Sequence, residues 1–420
     1  MADNKQNKNP NVPNSGNAPK LRFPEFTEDW VQYKCSELLE FYSTNSLSWE
    51  QLDYDNNDLL NLHYGLIHVG LPTLVNVEQH NLPSVKPEFK PKNYTLCKSG
   101  DIAFADASED TNEVAKPIEF YDCSDKQVVC GLHTIHGRDK LNATEIGFKG
   151  YAFSSMPFHH KIRRLAQGSK IYSISSKNFS EVTIGIPTKE EQRKIVDLLS
   201  KIDERITTQN KIIEDLKKLK VAISQVCFEQ KPIDEIPLHK FFKKGKAGGT
   251  PTSTNKEYYD GEIPFLSIND ITEQGKYIYS TEKHLSEKGL LNSSAWVVPV
   301  NSLILSMYAS VGLTTINKIP LATSQAMFSM ELKEPELIDY LYYYLTYFKY
   351  RYIHRYLETG TQSNINADIV KSIKIPNYGK SKNIEMSAML ANIDKKIEIE
   401  NKYLQSLLSQ KAYLFSNMFI

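Results

Sequence analysis

Two basic, aromatic runs hold the densest contact chemistry in the chain. Phe158-His159-His160-Lys161-Ile162-Arg163-Arg164 precedes Gly168-Ser169-Lys170, and Phe348-Lys349-Tyr350-Arg351-Tyr352-Ile353-His354-Arg355-Tyr356 precedes Gly360-Thr361-Gln362-Ser363. Arg and Lys neutralise phosphates, and Arg and Gln also reach base edges. A further candidate is Phe241-Phe242-Lys243-Lys244-Gly245-Lys246-Ala247-Gly248-Gly249-Thr250-Pro251. Its Gly pair lets backbone N–H groups come close to a phosphate. Each stretch has a plainer explanation, a solvated helix face for the runs and a surface loop for the third. The runs occupy matching places in the two halves, which favours a binding role for them as sets.

Catalytic signatures are missing. The chain has no G-x-G-x-x-G, no H-E-x-x-H and no Asn/Asp-Pro-Pro-Tyr/Phe tetrapeptide of an adenine methyltransferase. Gly379-Lys380-Ser381 resembles the end of a P-loop, but position 374 is Lys where the cradle needs Gly. Glu331-Leu332-Lys333 is a nuclease-like triplet of a kind that chance supplies often. Cys130, His133 and His136, with Cys123 upstream, are possible metal ligands. On a strand, 130 and 136 would share a face and 133 would not, so packing and surface roles are expected and no metal is assigned. The chain is expected to bind no cofactor and to catalyse nothing.

The elements that carry these residues occur twice. Ile186-Pro187 and Ile375-Pro376 each open a long amphipathic stretch. One constant offset pairs Leu199 with Leu390, Ile202 with Ile393, Ile206 with Ile397, Ile213 with Leu404, Leu216 with Leu407 and Ile223 with Leu414. A repeat this long sets the architecture before any residue chemistry. Steps of four and three between these positions describe a coiled-coil seam. Thr188 with Glu191 reads as a capping box. Asn210 and Asn401 match across the repeat, either as buried residues that fix register or as residues at the solvent edge. Between the helices, short apolar runs such as Ile102-Ala103-Phe104 and Leu303-Ile304-Leu305 are bounded by turn residues and read as strands.

The chain therefore divides into a disordered lead (1–19), a first globular domain (20–187), a central helix (188–228), a second globular domain (229–376) and a final helix (377–420). The fold class is α+β: two mixed α/β domains separated by a two-helix antiparallel coiled-coil spacer, with pseudo-twofold symmetry. The central helix, about 40 residues and roughly 60 Å long, would hold the domains at opposite ends of a stick. At 420 residues there is room for a core in each domain. The 50 basic and 50 acidic groups cancel, so any nucleic-acid contact must use local patches. No apolar run is long enough to span a membrane, and the lead lacks the apolar core of a signal peptide. The five cysteines are irregularly spaced and read as reduced thiols in a cytoplasmic protein.

Over nearly its whole length the chain resembles the specificity subunit of a Type I restriction-modification system. Lys20-Leu21-Arg22-Phe23-Pro24-Glu25-Phe26, followed by Asp29-Trp30, is similar to that family's N-terminal signature. Gly248-Gly249-Thr250-Pro251, Tyr258-Tyr259-Asp260-Gly261-Glu262-Ile263-Pro264-Phe265 and Ile268-Asn269-Asp270 resemble the start of a target-recognition domain. Thr361-Gln362-Ser363-Asn364-Ile365 and the helix start Glu191-Gln192 match as well. The first half departs, with Ser43-Thr44-Asn45-Ser46-Leu47-Ser48-Trp49 in place of the Gly-Gly-Thr-Pro run, and the second helix has Asn383-Ile384 where the first has Glu191-Gln192. These departures imply two domain subtypes and two different half-sites.

The resemblance implies a bacterial, nucleoid-associated subunit that binds double-stranded DNA and supplies no chemistry. Methyltransferase subunits would bring S-adenosylmethionine. A restriction and translocase subunit would use ATP and Mg. The DNA-binding set is then Ser43, Asn45, Ser46, Lys161, Arg163, Arg164, Lys170, Lys243, Lys244, Lys246, Gly248, Gly249, Thr250, Arg351, Arg355, Thr361 and Gln362. The alternative is a coiled-coil scaffold whose two domains bind other proteins.

Overall fold

The computed structural model describes residues 17–55, 58–355 and 364–420. Most of the expected lead lies outside this range. Residues 17–19 are part of the fold, since Pro19 is buried and the Asn17 carbonyl accepts the Trp30 N–H at 2.7 Å.

Two compact units divide the chain, Met1–Gln209 with Tyr403–Ile420, and Asn210–Lys402. The division falls inside the two long helices, Lys189–Phe228 and Lys380–Asn417, rather than at their ends. Packing explains this. Ile195, Leu199 and Ile202 of the central helix share the first unit's core with Leu414, Phe415, Met418 and Phe419. Cys227 and Phe228 share the second unit's core with Met386 and Leu390.

Each unit repeats one sheet framework. The first holds a ribbon of Val31–Lys34 against Thr183–Ile186, and a five-stranded sheet ordered Leu39–Tyr42, Thr134–Asp139, Ile102–Ala105, Pro117–Asp122, Leu74–Asn76. The second holds a ribbon of Asp234–Pro237 against Lys374–Asn377, and a five-stranded sheet ordered Phe242–Ala247, Met327–Leu332, Leu303–Ser306, Thr314–Asn317, Tyr277–Ile278. In both five-stranded sheets only the last pairing is parallel. Each unit adds a four-stranded sheet built on a parallel pair. The pair is Leu60–Leu62 with Val128–Cys130 in the first unit, and Tyr259–Leu266 with Leu321–Thr323 in the second. The remaining strands of these two sheets differ in order. The expected strands are present, and the two domain subtypes are variants of one framework.

The helix starts differ from the capping-box expectation. Thr188 Oγ1 accepts the Glu191 N–H at 3.4 Å, but the Glu191 carboxylate turns to Arg22, which donates to both its oxygens at 2.7 and 2.8 Å. Gln192 is buried and ties the helix to the Ala143 and Pro187 carbonyls and to the Glu145 N–H. In the second helix Asn383, also buried, accepts the Tyr378 N–H at 3.1 Å. Asn383 is thus the counterpart of Gln192, as the constant offset of the repeat requires, and the pairing of Asn383-Ile384 with Glu191-Gln192 is one residue out of register.

Along the seam Leu199, Ile202, Ile213, Leu390, Leu407 and Leu414 are buried. Ile206, Leu216, Ile223, Ile393, Ile397 and Leu404 are half-buried. Asn210 and Asn401 are exposed, which settles them at the solvent edge; the buried polar residue is the neighbouring Gln209, 3% exposed. One polar clasp occurs in each unit at matching positions. Asp203 takes the Lys411 ammonium at 2.5 Å and the Tyr151 hydroxyl at 3.1 Å. Asp394 takes Lys220 at 2.5 Å and Tyr343 at 2.7 Å. Leu390→Ala, at a fully buried position, is expected to cost about 2–5 kcal/mol in urea unfolding. Asn401→Ala is expected to change stability by under about 0.5 kcal/mol.

Candidate nucleic-acid interface

The two unlike loops occupy the same place. Each leaves the edge strand of its five-stranded sheet and is caught by the parallel pair of its four-stranded sheet. In the first unit the Asn45 N–H and side-chain amide both donate to the Cys130 carbonyl at 3.1 Å, and the amide also donates to Asn61 Oδ1 at 2.7 Å. Asn45 Oδ1 accepts the Leu47 N–H at 3.1 Å. Ser43 and Ser46 are left exposed on either side.

In the second unit the Gly249 N–H donates to the Thr323 carbonyl at 2.9 Å, and the Gly248 N–H to the Met327 carbonyl at 3.1 Å. A Cβ on Gly248 would lie 1.9 Å from the Thr323 oxygen, and one on Gly249 would lie 2.2 Å from Ser294 Oγ. The Gly pair therefore serves close strand approach. Its N–H groups are already bonded, which corrects the phosphate cradle expected for Gly248 and Gly249. Asn45 achieves the same docking with its own side chain, so that loop needs no glycine.

Beside Gly248 and Gly249, a polar patch forms. Exposed Lys244 places Nζ 4.2 Å from the Trp296 ring centre. Lys246 Nζ reaches the Ser294 carbonyl at 3.3 Å, and Thr250 Oγ1 donates to Gln325 Oε1 at 2.5 Å. Lys243 is paired with Glu331 at 2.8 Å, which also gives the nuclease-like triplet a structural role. Cations beside an indole and a carboxamide can hold phosphate and reach base edges. Asn61, Ser294, Trp296 and Gln325 were not among the residues expected here. They approach from as far as 75 positions away, and no local motif marks them.

The basic runs behave differently. In the first, helix Met156–Arg163 buries Phe158 and Ile162. Lys161 Nζ donates to the Thr183 carbonyl at 2.8 Å and to its hydroxyl at 3.3 Å, and burial lowers its pKa. It ties this helix to the ribbon, which corrects its place among the phosphate contacts. Arg163 is held by Asn112 Oδ1 at 2.9 Å, while Arg164 and Lys170 are exposed. In the second run Arg351 Nε lies 3.5 Å from Glu229 and lines a groove of about 590 Å³ with Lys217, Tyr343 and Tyr347. Arg351 therefore faces the end of the central helix. Arg355 stacks 5.0 Å from the Tyr352 ring centre. Thr361 and Gln362 lie outside the described residues.

His159, within the first run, is only partly exposed, and its Nδ1 is buried without a hydrogen-bond partner. Burial pushes its imidazole down to about 4. The unfolded value is near 6.5, so between the two the unfolded chain holds more protons and stability falls as pH falls. Thermal unfolding of the wild type and His159→Leu should give a difference that moves steadily against the wild type from about pH 6.5 to about 4.

Comparison with known proteins completes this picture. The model of the Type I restriction modification DNA specificity domain matches residues 124–218 and 231–409. The MjaIX specificity subunit of Methanocaldococcus jannaschii is 28% identical over 205 residues, 46% of this chain and 46% of that protein. The chain thus spans under half of that relative. The putative MjaX specificity subunit of the same organism is 24% identical over 416 residues, 92% of each chain. The crystal structure of the Type I restriction-modification S subunit from M. genitalium shares the fold, with a TM-score of 0.56, 17% identity and coverage of 96% of this chain and 99% of that one. Two matches of one domain fall on the two repeats of one framework, and the chain belongs to the Type I restriction-modification DNA specificity family.

Proposed function

We propose that the chain is the DNA-reading subunit of a Type I restriction-modification complex and that it contributes recognition and no catalysis. Each unit reads one part of a bipartite duplex target. Ser43 and Ser46, held in place by Asn45, serve the first part, and Lys244, Lys246 and Thr250 the second. Arg163, Arg164, Lys170, Arg351 and Arg355 are assigned to phosphates, where they add affinity without sequence information. Methyltransferase subunits carrying S-adenosylmethionine modify the target, and an ATP- and Mg-dependent restriction subunit cuts. The observation that carries this reading is one framework, used twice, with different loops at the same place. A scaffold for protein partners gives no reason for unlike loops at equivalent sites, and the family does not favour it.

The decisive measurement is single-molecule methylome sequencing of cells with and without this chain. One bipartite motif should lose its adenine methylation when the chain is absent. An unchanged methylome in cells that hold the methyltransferase partner would refute the proposal.

The two long helices set the gap between the halves of the target. Four residues inserted near Ile213 add about one turn, roughly 5.4 Å, or somewhat under two base-pair steps of about 3.4 Å. The methylated motif of that variant should keep both half-sites and change its gap. An unaltered gap would sink the ruler idea.

A further inference from the structure

Behind the Ser43–Ser46 loop the first unit buries three potential metal ligands. Cys97 Sγ, Cys130 Sγ and a ring nitrogen of His136 all lie within 4.8 Å of one another. The two sulfurs are 3.5 Å apart. The edge of a tetrahedron with zinc–sulfur bonds of about 2.3 Å is about 3.8 Å, so the sulfurs stand close to the spacing an ion requires. His133, the third member of the sequence triplet, is elsewhere, exposed and bonded to Asp106 at 3.1 Å. Cys97 takes its place, contributed by a segment 33 positions away.

The state of His136 points to a ligand. The side chain is 1% exposed. Its Nε2 meets Asp101 Oδ2 at 2.8 Å, and Asp101 is itself held by Arg138 Nε and Nη2, each at 2.7 Å. A carboxylate on Nε2 places the proton there and leaves Nδ1 with a bare lone pair. That Nδ1 is buried and has no hydrogen-bond partner. Buried polar atoms are rarely left in this way.

The second unit supplies the comparison. Cys130 and Thr323 both accept the loop N–H, and their strands match in register. His136 pairs with Ala103 where Ser329 pairs with Ile304. Leu96 bridges Val129 where Val297 pairs with Ala322, which sets Cys97 against Val298. The counterparts of the three ligands are therefore Val298, Thr323 and Ser329. The two hydroxyls lie 3.4 Å apart, and the third counterpart is an apolar side chain. The same framework position closes without an ion in one unit and gathers two thiols and an imidazole in the other.

We propose that Cys97, Cys130 and His136 bind one zinc ion in the first unit. Thiolate and imidazole donors favour a soft or borderline cation; these three residues would fill three of zinc's four tetrahedral positions, and a water molecule the fourth. Each cysteine releases its proton to solvent on binding, so affinity rises with pH. Asp101 is a positioning residue that fixes the His136 tautomer. The ion joins the four-stranded sheet at Cys130 to the five-stranded sheet at His136. Since the Cys130 carbonyl holds Asn45, it also stiffens the base of the Ser43–Ser46 loop.

The test needs no DNA. The full chain, purified in reducing buffer without chelator, should contain about one zinc, and exchange with Co²⁺ alone should give thiolate-to-cobalt charge-transfer absorption. The double variant Cys97→Ser/Cys130→Ser should lose both signals, and Cys227→Ser, in the other unit, should keep them. Asp101→Asn should weaken the metal about 10- to 100-fold. Metal-free wild-type protein, a cobalt spectrum without a thiolate band, or a Cys97–Cys130 disulfide in place of metal would overturn the proposal. Should the serine variants fail to fold, the wild-type zinc content and cobalt spectrum decide it.

Discussion

Both cores depend on the burial of half of each long helix. The first unit is closed by residues from the very end of the chain. Phe419 packs 6.3 Å from Trp30 and 6.2 Å from Phe148, ring centre to ring centre, and the Asn417 carbonyl accepts the Leu21 N–H at 2.9 Å. The second unit is closed by Phe228, which sits among Tyr340, Tyr344 and Tyr347. Each large apolar side chain taken from water contributes about 1.5–3 kcal/mol, so these helix ends are not accessories to finished domains. The Tyr–Asp–Lys clasp recurs beside each core. Its ions keep about a quarter of their exposure, 25% for Lys411 and Asp203 and 25% and 30% for Lys220 and Asp394. Partly solvated pairs of this kind add little energy. Their recurrence at matching positions is better understood as holding the helices in one register.

With the frame held in this way, the side chains at its loops are free to vary. The docking reaction is the same in both units: a loop N–H meets the carbonyl of the inner parallel pair. The second unit does this with Gly248 and Gly249, where any side chain would strike backbone or Ser294. The first does it with Asn45, which adds a side-chain bond to the same carbonyl. Shared backbone geometry with different side-chain content lets the two units differ in what they present without a change of fold. The buried cysteines and His136 follow the same logic one layer deeper, where equivalent positions carry different chemistry.

Much of the architecture was legible in the residue order because it rests on periodicity. The helices follow from apolar steps of four and three, the strands from short apolar runs between turn residues, and the duplication from one constant offset. Each of these signals is local or repeated at a fixed interval, so no knowledge of contacts is needed to see it. The candidate site was legible only in part. Lys244, Lys246 and Thr250 lie in one continuous stretch, the edge strand Phe242–Ala247 and the loop that follows it, and could be named in advance. Their neighbours Ser294, Trp296 and Gln325 could not, because separate segments bring them there.

Tertiary structure decided every question in which a side chain had to choose between partners. Lys161 was drawn to the Thr183 carbonyl, Glu191 to Arg22, and the N–H groups of the Gly pair to neighbouring strands, because a buried polar group must be bonded within the protein. Asn210 ceded the buried position to Gln209, a rotation of one residue that a repeat pattern does not resolve. His133 and His136 separated onto exposed and buried sites, and Cys97 replaced the former through strand pairing. By itself the sequence determined two similar units, two long helices and a family. Which side chains remain free to meet a ligand depended on long-range pairing, since only the folded chain determines which polar groups already have a partner.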